Sequence, residues 1–490
     1  MIAAPSQPTW RRGSFNAQLA SFKPMSSNTI KFLAAACAAI APGVASAAKP
    51  AGFALMAHRQ AGDQIEATVT LEVGGELVVA DEKGREKRLP MSVAAKSAYR
   101  ERLLSWPVNA AGSARSLRQY SEAQATIKGD GAGTDLVLPE EVQTIVAELA
   151  PEGVAIAGLD QPLSREQFDL VNILGNTLAI DRLLPNKTVA EGEGWDHDAA
   201  TIGPLLGMDH VAVCEVQSVV TGEESRQVKI RLAGTVHGTV DGASSEMELR
   251  GAYLYHLDVG RITKMNLTVK EVRKAGEATP GLDVSAKLTL VAASVPRDAP
   301  SPFDDANVER AEAKSPLELQ QLLVNAPSRG YRFCHDSSWF VTAEARELMS
   351  LRQLERGDLL AHCNVTTMPP RSPEKPLGLE AFQQDVGKAL GDKLEKIEAA
   401  TEWETPTGCR ALGVLANGTV EDVPVQWRYY HLSDAAGRQA TIAVTVEQSL
   451  LERFADGDRP IVDSMELTDQ PAGARKTTAT AAAEEGTAKK

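Results

Sequence analysis

Nine residues decide the fold: Ile65-Glu66-Ala67-Thr68-Val69-Thr70-Leu71-Glu72-Val73. Ile65, Ala67, Val69, Leu71 and Val73 take one side of a period-2 pattern, and Glu66, Thr68, Thr70 and Glu72 take the other. Such alternation marks a strand in an antiparallel sheet with one wet face. Gly74-Gly75 punctuates the chain, and Glu76 to Ala80 reads as a hairpin partner. The same signal returns downstream. Val211 to Val220 is largely apolar. Val228, Ile230 and Leu232 alternate with Lys229 and Arg231. Glu246 to Asp258 is a long strand interrupted at Gly251. Met265, Leu267 and Val269 alternate with polar neighbours, and Leu282, Val284, Ala286, Leu288 and Leu290 share a face. A sheet with one apolar face must curl on itself or be covered.

Helical signals are fewer. Residues 93–107 read as a short helix. Ser164-Arg165-Glu166-Gln167 has the form of a capping box. The helix it opens is expected to run through Phe168, Val171, Leu174 and Leu178 and to stop at Leu184-Pro185, because proline cannot continue it. That helix is the natural cover for the sheet. Residues 49–294 are therefore expected to form a β-rich, half-barrel-like domain with a covering helix. Residues 295–314, with Pro296, Pro300 and Pro302, read as a linker. A second domain is expected over 315–469. Its helical stripe is Leu379, Phe382, Val386, Leu390, Leu394 and Ile397. Strands are expected near 409–415, 423–432 and 439–446, then a short helix at 447–454 and a last strand at 461–467. The expected fold class is α+β. Residues 470–490 contain no large apolar side chain and are expected to be disordered.

Met25 to Ala47 has the layout of an export signal. Lys31 is basic, Phe32 to Ile40 is apolar, Pro42-Gly43 breaks the run, and Ala45-Ser46-Ala47 offers a cleavage pattern. Met25 is read as a start, residues 1–24 as untranslated or disordered, and the protein as periplasmic or extracellular. Two alternatives to cleavage stay open. Phe32 to Ala48 falls short of the ~20 residues of a spanning helix, and Cys37 as a lipidated residue has only Phe32 to Ala36 before it. Residues 1–47 carry Arg11, Arg12, Lys23 and Lys31 and no acid, so cleavage leaves a chain more acidic than the full-length net charge of −14. That acidity argues against nucleic acid or an anionic membrane surface as partner, since both require basic patches. No membrane span is expected after cleavage.

Candidate chemistry is sparse. Trp195-Asp196-His197-Asp198 with Asp209-His210 offers carboxylates and imidazoles for a hard metal or zinc, but no second spaced cluster completes a ligand set. Cys334-His335 and His362-Cys363 could flank one another. Adjacent residues on a strand point to opposite faces, so neither pair can turn both side chains to one ion. A Cys334–Cys363 disulfide suits an exported chain better, with one disulfide expected among Cys334, Cys363 and Cys409. The Gly-rich run Lys128 to Asp135 lacks the strand-before, helix-after context and terminal Lys-Ser/Thr of a phosphate loop. No G-x-S-x-G or H-E-x-x-H is present. The expectation is therefore no catalytic residue, no metal and no cofactor.

The C-terminal region resembles the PsbP/DcrB-like group. The residues that carry this are Trp339-Phe340-Val341, Leu379-Glu380-Ala381-Phe382, Val425-Gln426-Trp427-Arg428-Tyr429-Tyr430 and Leu451-Glu452-Arg453-Phe454. The resemblance implies a small α/β domain and no shared catalytic residue. Leu183-Leu184-Pro185-Asn186-Lys187, Gly192-Glu193-Gly194-Trp195 and the stretch from Gly234 to Gly238 resemble exported bacterial proteins of planctomycete type. That implies an exported β-rich domain. The functional expectation is a non-enzymatic envelope protein that binds or scaffolds, with an envelope protein or an apolar small molecule as partner on the curved sheet. The rival is a carboxylate- or metal-dependent hydrolase centred near His197 and His210.

Overall fold

The computed structural model describes residues 52–469 apart from 81–83, 108–111, 130–132, 151–152, 297 and 316–317. The export segment Met25 to Ala47, Cys37 and the tail 470–490 lie outside the described residues. The first half holds β1 (Phe53–Leu55), β2 (Gln64–Ala80), β3 (Glu86–Ser105), β4 (Ala114–Lys128), β5 (Gly133–Val137), β6 (Thr144–Ala150) and β7 (Gly153–Gly158). After them come α1 (Arg165–Val171), α2 (Thr177–Ile180), β8 (Lys187–Val189), β9 (Gly194–His197) and α3 (Ala199–Leu206). Four hairpin-linked strands end the half: β10 (His210–Glu224), β11 (Gln227–Val240), β12 (Ala243–His256) and β13 (Arg261–Arg273), with β14 (Gly281–Ser294) last. The second half holds α4 (Asp305–Ala313), β15 (Gln321–Ala326), β16 (Tyr331–Asp336), β17 (Trp339–Glu344), β18 (Leu348–Glu355), β19 (Asp358–Met368) and α5 (Leu379–Leu390). Then follow β20 (Leu394–Glu404), β21 (Arg410–Val420), β22 (Val423–Ser433), β23 (Gln439–Glu447), α6 (Leu451–Phe454), α7 (Arg459–Asp463) and β24 (Glu466–Leu467).

One antiparallel sheet dominates, in the order β7-β6-β4-β3-β2-β14-β13-β12-β11-β10-β9, with β5 added on β4. The segment 176–184 shows that this sheet curls. Arg182 donates to Leu149 O on β6 at 3.3 Å, while Trp195 Nε1 on β9 donates to Leu183 O at 3.0 Å. In a flat sheet those strands would stand roughly 40 Å apart at the usual ~4.8 Å spacing. A single short segment can reach both only if the sheet wraps around it. Leu178, Ala179, Ile180, Leu183 and Leu184 are accordingly buried in one core with the inward residues of the sheet. The glycines of β11 permit tight strand contact: a Cβ on Gly234 would lie 2.0 Å from Glu215 O, and one on Gly238 2.0 Å from His210 O.

The expected α+β class with a covering helix is overturned. Strands make up 58% of the structure and helices 17%, so the chain is mostly β. The capping box forms as read, with Gln167 N–H donating to Ser164 Oγ and Ser164 N–H to Gln167 Oε1. Its helix, however, stops after seven residues. Gly175 takes a positive φ of +86°, and Asn176 caps a separate turn, α2. Residues 93–105, expected as helix, belong to the twenty-residue strand β3. Glu76 to Ala80 continues β2 rather than returning as a partner. In the second half, α5 ends at Leu390, so Leu394 and Ile397 lie on β20, while residues 459–463 form α7 where a strand was expected.

The second large sheet runs β17-β18-β19-β23-β22-β21-β20, beside a small sheet β15-β16-β24. Within the segment read as a linker, Phe303 and Ala311 pack with Leu319 on Leu104, Leu117, Val146 and Ala157. The two halves also meet at α1. Arg165 donates to Ser337 O, its guanidinium sits 4.3 Å from the centroid of the Phe340 ring, and Leu323 N–H donates to Leu163 O at 2.7 Å. No helix among the described residues is long and apolar enough to cross a membrane.

Candidate functional site

The inner face of the curled sheet is apolar because β2, β3, β4, β13 and β14 keep a period-2 pattern with small or branched residues turned inward. Near the β2–β3 end this face does not close against the segment that fills the rest of the curl. A cavity of about 400 Å³ remains. Val93 and Val284 are among its sheet-side lining residues, and Phe168, Ile173, Leu174 and Leu206 come from α1, the exit of α1 and α3. Three alanines, Ala95, Ala125 and Ala286, keep the space open, since a larger side chain at any of them would enter it. Gly175 brings the chain close to the sheet. A Cβ there would lie 2.8 Å from Leu288 Cδ2.

The polar groups of the cavity sit in two places. Around α1, Arg165 pairs with Asp169 at 3.0 Å and Asp241 at 3.3 Å, and Arg273 with Glu271 at 2.7 Å and Asp241 at 3.4 Å. Burial pushes the Asp169 carboxyl up, and the Arg165 charge partly offsets this. Asn172, at the end of α1, also lines the cavity, and so does Asn176, at the start of α2. Its Oδ1 accepts from Arg118 at 2.6 Å and from Leu178 N–H at 3.0 Å.

Behind Asn176 lies a buried polar network. Arg59 and Asp181 pair at 2.7 Å with almost no exposed side-chain surface. Asp181 also accepts from Ile262 N–H at 3.0 Å. Glu101, fully buried, accepts from Thr177 and lies 3.9 Å from Arg118. Arg118 stacks over the Tyr99 ring at 5.1 Å. Burial, then repulsion from Arg59, lowers the pKa of Arg261. This network ties β3, β4 and β13 to the inner segment. It is invisible when residues 93–107 are read as a helix. Read with period 2, Ala95, Ser97, Tyr99, Glu101 and Leu103 fall on one face, which exposes Glu101 as a charge pointing inward.

The residues singled out in the sequence are not brought together. His197 lies on β9 opposite Val216, and His210 opens β10 opposite Thr239, six residues away along that strand or about 20 Å at ~3.3 Å per residue. His197 Nε2 is 2.8 Å from Ser218 Oγ, which accepts from the Tyr253 hydroxyl at 2.9 Å. Burial holds its pKa down to about 4. The neighbouring acids have structural partners: Asp198 caps α3, Asp196 accepts from Gln217, and Asp209 accepts from Gly242 N–H. Among the described residues, no three His, Cys, Asp or Glu side chains converge on a metal position. The metal-dependent form of the hydrolase expectation thus finds no ligand cluster among the described residues, and His197 and His210 are held apart.

Cys214, Cys334, Cys363 and Cys409 are free thiols, and the expected Cys334–Cys363 disulfide is not formed. On β16, Tyr331, Phe333 and His335 face inward, Tyr331 and Phe333 into the core that holds Cys363. Alternation therefore turns Cys334 the other way, and its N–H donates to Ser464 Oγ at 2.7 Å. His335 is buried and His362 lies beside Cys363 on β19; burial lowers both pKa values, that of His362 to about 4. A broader cleft of about 530 Å³ lies in the second half beside Trp403 and His431. Its charged lining is partly committed within the protein, with Arg410 on Glu402 at 2.7 Å and Asp434 on Arg438. The cavity under the curled sheet is the better candidate for an apolar guest.

No protein-family model and no curated protein matches the sequence. Among solved structures, the chain is similar to the cyanobacterial PsbP of Synechocystis sp. PCC 6803, at 14% identity over 30% of this chain and 92% of that one, with a TM-score of 0.25. It is also similar to lipovitellin, in a structure titled for its lipid–protein interactions, at 11% identity over 50% of this chain and 26% of that one, with a TM-score of 0.27. The translocator domain of the autotransporter NalP from Neisseria meningitidis is matched at 8% identity over 80% of this chain and 90% of that one, with a TM-score of 0.12. TM-scores and identities this low carry no argument about what the chain does.

Proposed function

We propose that this chain is a non-enzymatic binding protein of the bacterial envelope that holds an apolar small molecule under its curled sheet. The observation that carries the reading is the cavity of about 400 Å³, with an apolar sheet-side wall and paired charges gathered around Arg165 and Arg273. That is the size range and character of small-molecule sites, ~300–1,000 Å³ and mostly apolar. The envelope location rests on the export pattern at Met25 to Ala47. Native mass spectrometry of the purified chain is the test. The expected result is a co-purified apolar molecule that Ala286→Phe, which puts a ring into the cavity, removes or greatly reduces. A chain that carries nothing, and that takes up no uncharged fluorophore such as N-phenyl-1-naphthylamine, would sink the reading.

A further inference from the structure

We propose that the molecule held in the cavity is a cationic amphiphile, an apolar chain or ring system carrying a protonated amine, with the amine set against Asp169 and Asp241. This deepens the reading of the cavity as a ligand site and rests on it. Arg165, Phe168, Asp169 and Asn172 are spaced i, i+3, i+4 and i+7, so they share one face of α1 and its exit, and all four line the cavity. The cavity therefore has two unlike walls. On the sheet side, Val93, Ala95, Ala125, Val284 and Ala286 present hydrocarbon. The α1 side gathers Arg165, Asp169, Asp241, Glu271 and Arg273. A guest without a polar head would cover these charges from water and give nothing in return, which is costly.

The sign of the head group follows from which charges are open. Arg165 is committed, although 32% of its side chain is exposed. Its Nε donates to Asp169, Nη1 to Ser337 O and Nη2 to Asp241, each at 3.3 Å, and its guanidinium lies over the Phe340 ring. Arg273 donates to Glu271 and Asp241, and only 11% of its side chain is exposed. Asp169 is the open group, with 56% of its side chain exposed, and Asp241 follows with 34%. Three carboxylates thus face two guanidiniums in the lining. Burial raises the Asp169 carboxyl despite Arg165, and repulsion from Asp241 and Glu166 adds to the rise. Burial, with repulsion from Asp241, lifts the neighbouring Asp209 to about 6. An ammonium here meets open carboxylates that are short of positive charge, and it forms charge-assisted hydrogen bonds with them. A carboxylate or phosphate head would meet Asp169 with both guanidiniums already engaged, and would be repelled. Asn172 and Asn176 are neutral and do not distinguish the two signs.

The test is displacement of N-phenyl-1-naphthylamine from the full chain at pH 7.5 by decylamine, decanol and decanoate, which share a chain length and differ in head-group charge. Decylamine should displace at about tenfold lower concentration than decanol, the worth of one charge-assisted hydrogen bond in a partly open site. Decanoate should need a higher concentration than decanol. Asp169→Asn keeps the shape of the side chain and removes its charge, and it should take away most of the advantage of amine over alcohol. Asp169→Asn combined with Asp241→Asn should abolish it, and Asp169→Glu should retain it. If the double variant takes up no fluorophore, Asp169→Asn alone decides. An amine advantage that survives these substitutions is the general pull of an acidic chain on a cation, and it overturns the proposal while the cavity reading stands. Equal displacement by amine and alcohol in the wild type, or stronger displacement by decanoate, does the same. Absence of any fluorophore uptake, or uptake that Ala286→Phe does not reduce, overturns both.

Discussion

Asp181→Ala should be among the most destabilising single changes in the chain. The Asp181 side chain is fully buried, accepts from Arg59 at 2.7 Å and from Ile262 N–H at 3.0 Å, and stands beside Arg261. Removing it leaves the buried Arg59 guanidinium with only the more distant Glu101, 4.0 Å away, a change that costs about 3–5 kcal/mol. It also strands a buried backbone donor, worth about 1–3 kcal/mol. The two terms overlap, so about 5 kcal/mol is expected, comparable to the whole stability of a marginal domain. Asp181→Asn keeps an acceptor for Ile262 and should lose about 3 kcal/mol. Arg59→Met combined with Asp181→Leu removes both members of the pair and should lose about 2 kcal/mol, less than Asp181→Ala, because Arg59 goes with its partner while Arg261 keeps Glu101 nearby. Urea unfolding at pH 7.5 reads these losses. Trp106, which lies 5.2 Å from the Arg59 guanidinium, reports locally by fluorescence, and circular dichroism reports the sheet. An Asp181→Ala loss below about 1 kcal/mol, the level of an exposed pair, would refute the reasoning. So would a double variant as damaged as the single one.

Three further outcomes are expected. His197 is held neutral by burial, with its pKa down at about 4 against 6.5 for a free imidazole. The unfolded chain therefore binds the proton first as pH falls, and stability drops by up to about 3 kcal/mol between pH 6.5 and 4 from this residue. A pH series of urea midpoints should show a shallower acid limb in His197→Asn, and an unchanged limb would count against the buried neutral ring. Gly234→Ala should cost about 2 kcal/mol or more, because the new Cβ must push β10 and β11 apart; an unshifted melting temperature would contradict the close approach. Ser164→Ala removes the cap of α1 and should cost about 1 kcal/mol, read by thermal melting, with Ser164→Asp near wild type.

The strands of the large sheet were legible because their inward residues are apolar and their outward residues are not, as in Ile65 to Val73. β3 was hidden by its composition. Ala94, Ala95, Lys96, Arg100, Glu101, Arg102 and Leu103 are helix formers, and its inward face carries Ser97 and Glu101 where an apolar pair would have shown the period. Pairing on both sides, to β2 and β4, overrides that local preference. The capping box at Ser164 marked where α1 begins but not where it ends, because Gly175 and the Asn176 cap divide a stripe that runs apolar on both sides of them. Leu394 and Ile397 continue the spacing of α5 by coincidence beyond Gly391. The cavity could not be read at all. Its walls come from strands far apart in the chain, and the curl that faces them across one space is a property of the whole sheet. The Cys334–Cys363 pairing fails on phase: alternation fixes which residues of one strand share a face, but Tyr331 and Phe333 decide which face β16 turns to the core.

The uncovered ends of the large sheet bear on how the protein stays apart from its own copies. Among the described residues β7 and β9, the outermost strands, do not pair with each other, so each has one row of unpaired backbone groups. An open strand edge is a template for another chain. Here the two outer strands are six and four residues long, against thirteen to twenty for most inner ones. The β7 side is also met by the turn Glu318–Gln320, and Leu319, Phe303 and Ala311 seal the apolar residues nearby. The stretch joining the two halves thus acts as a guard strip. Loss of it would bare the β7 edge and the apolar residues beside it, leaving a template on which a second chain could add a strand.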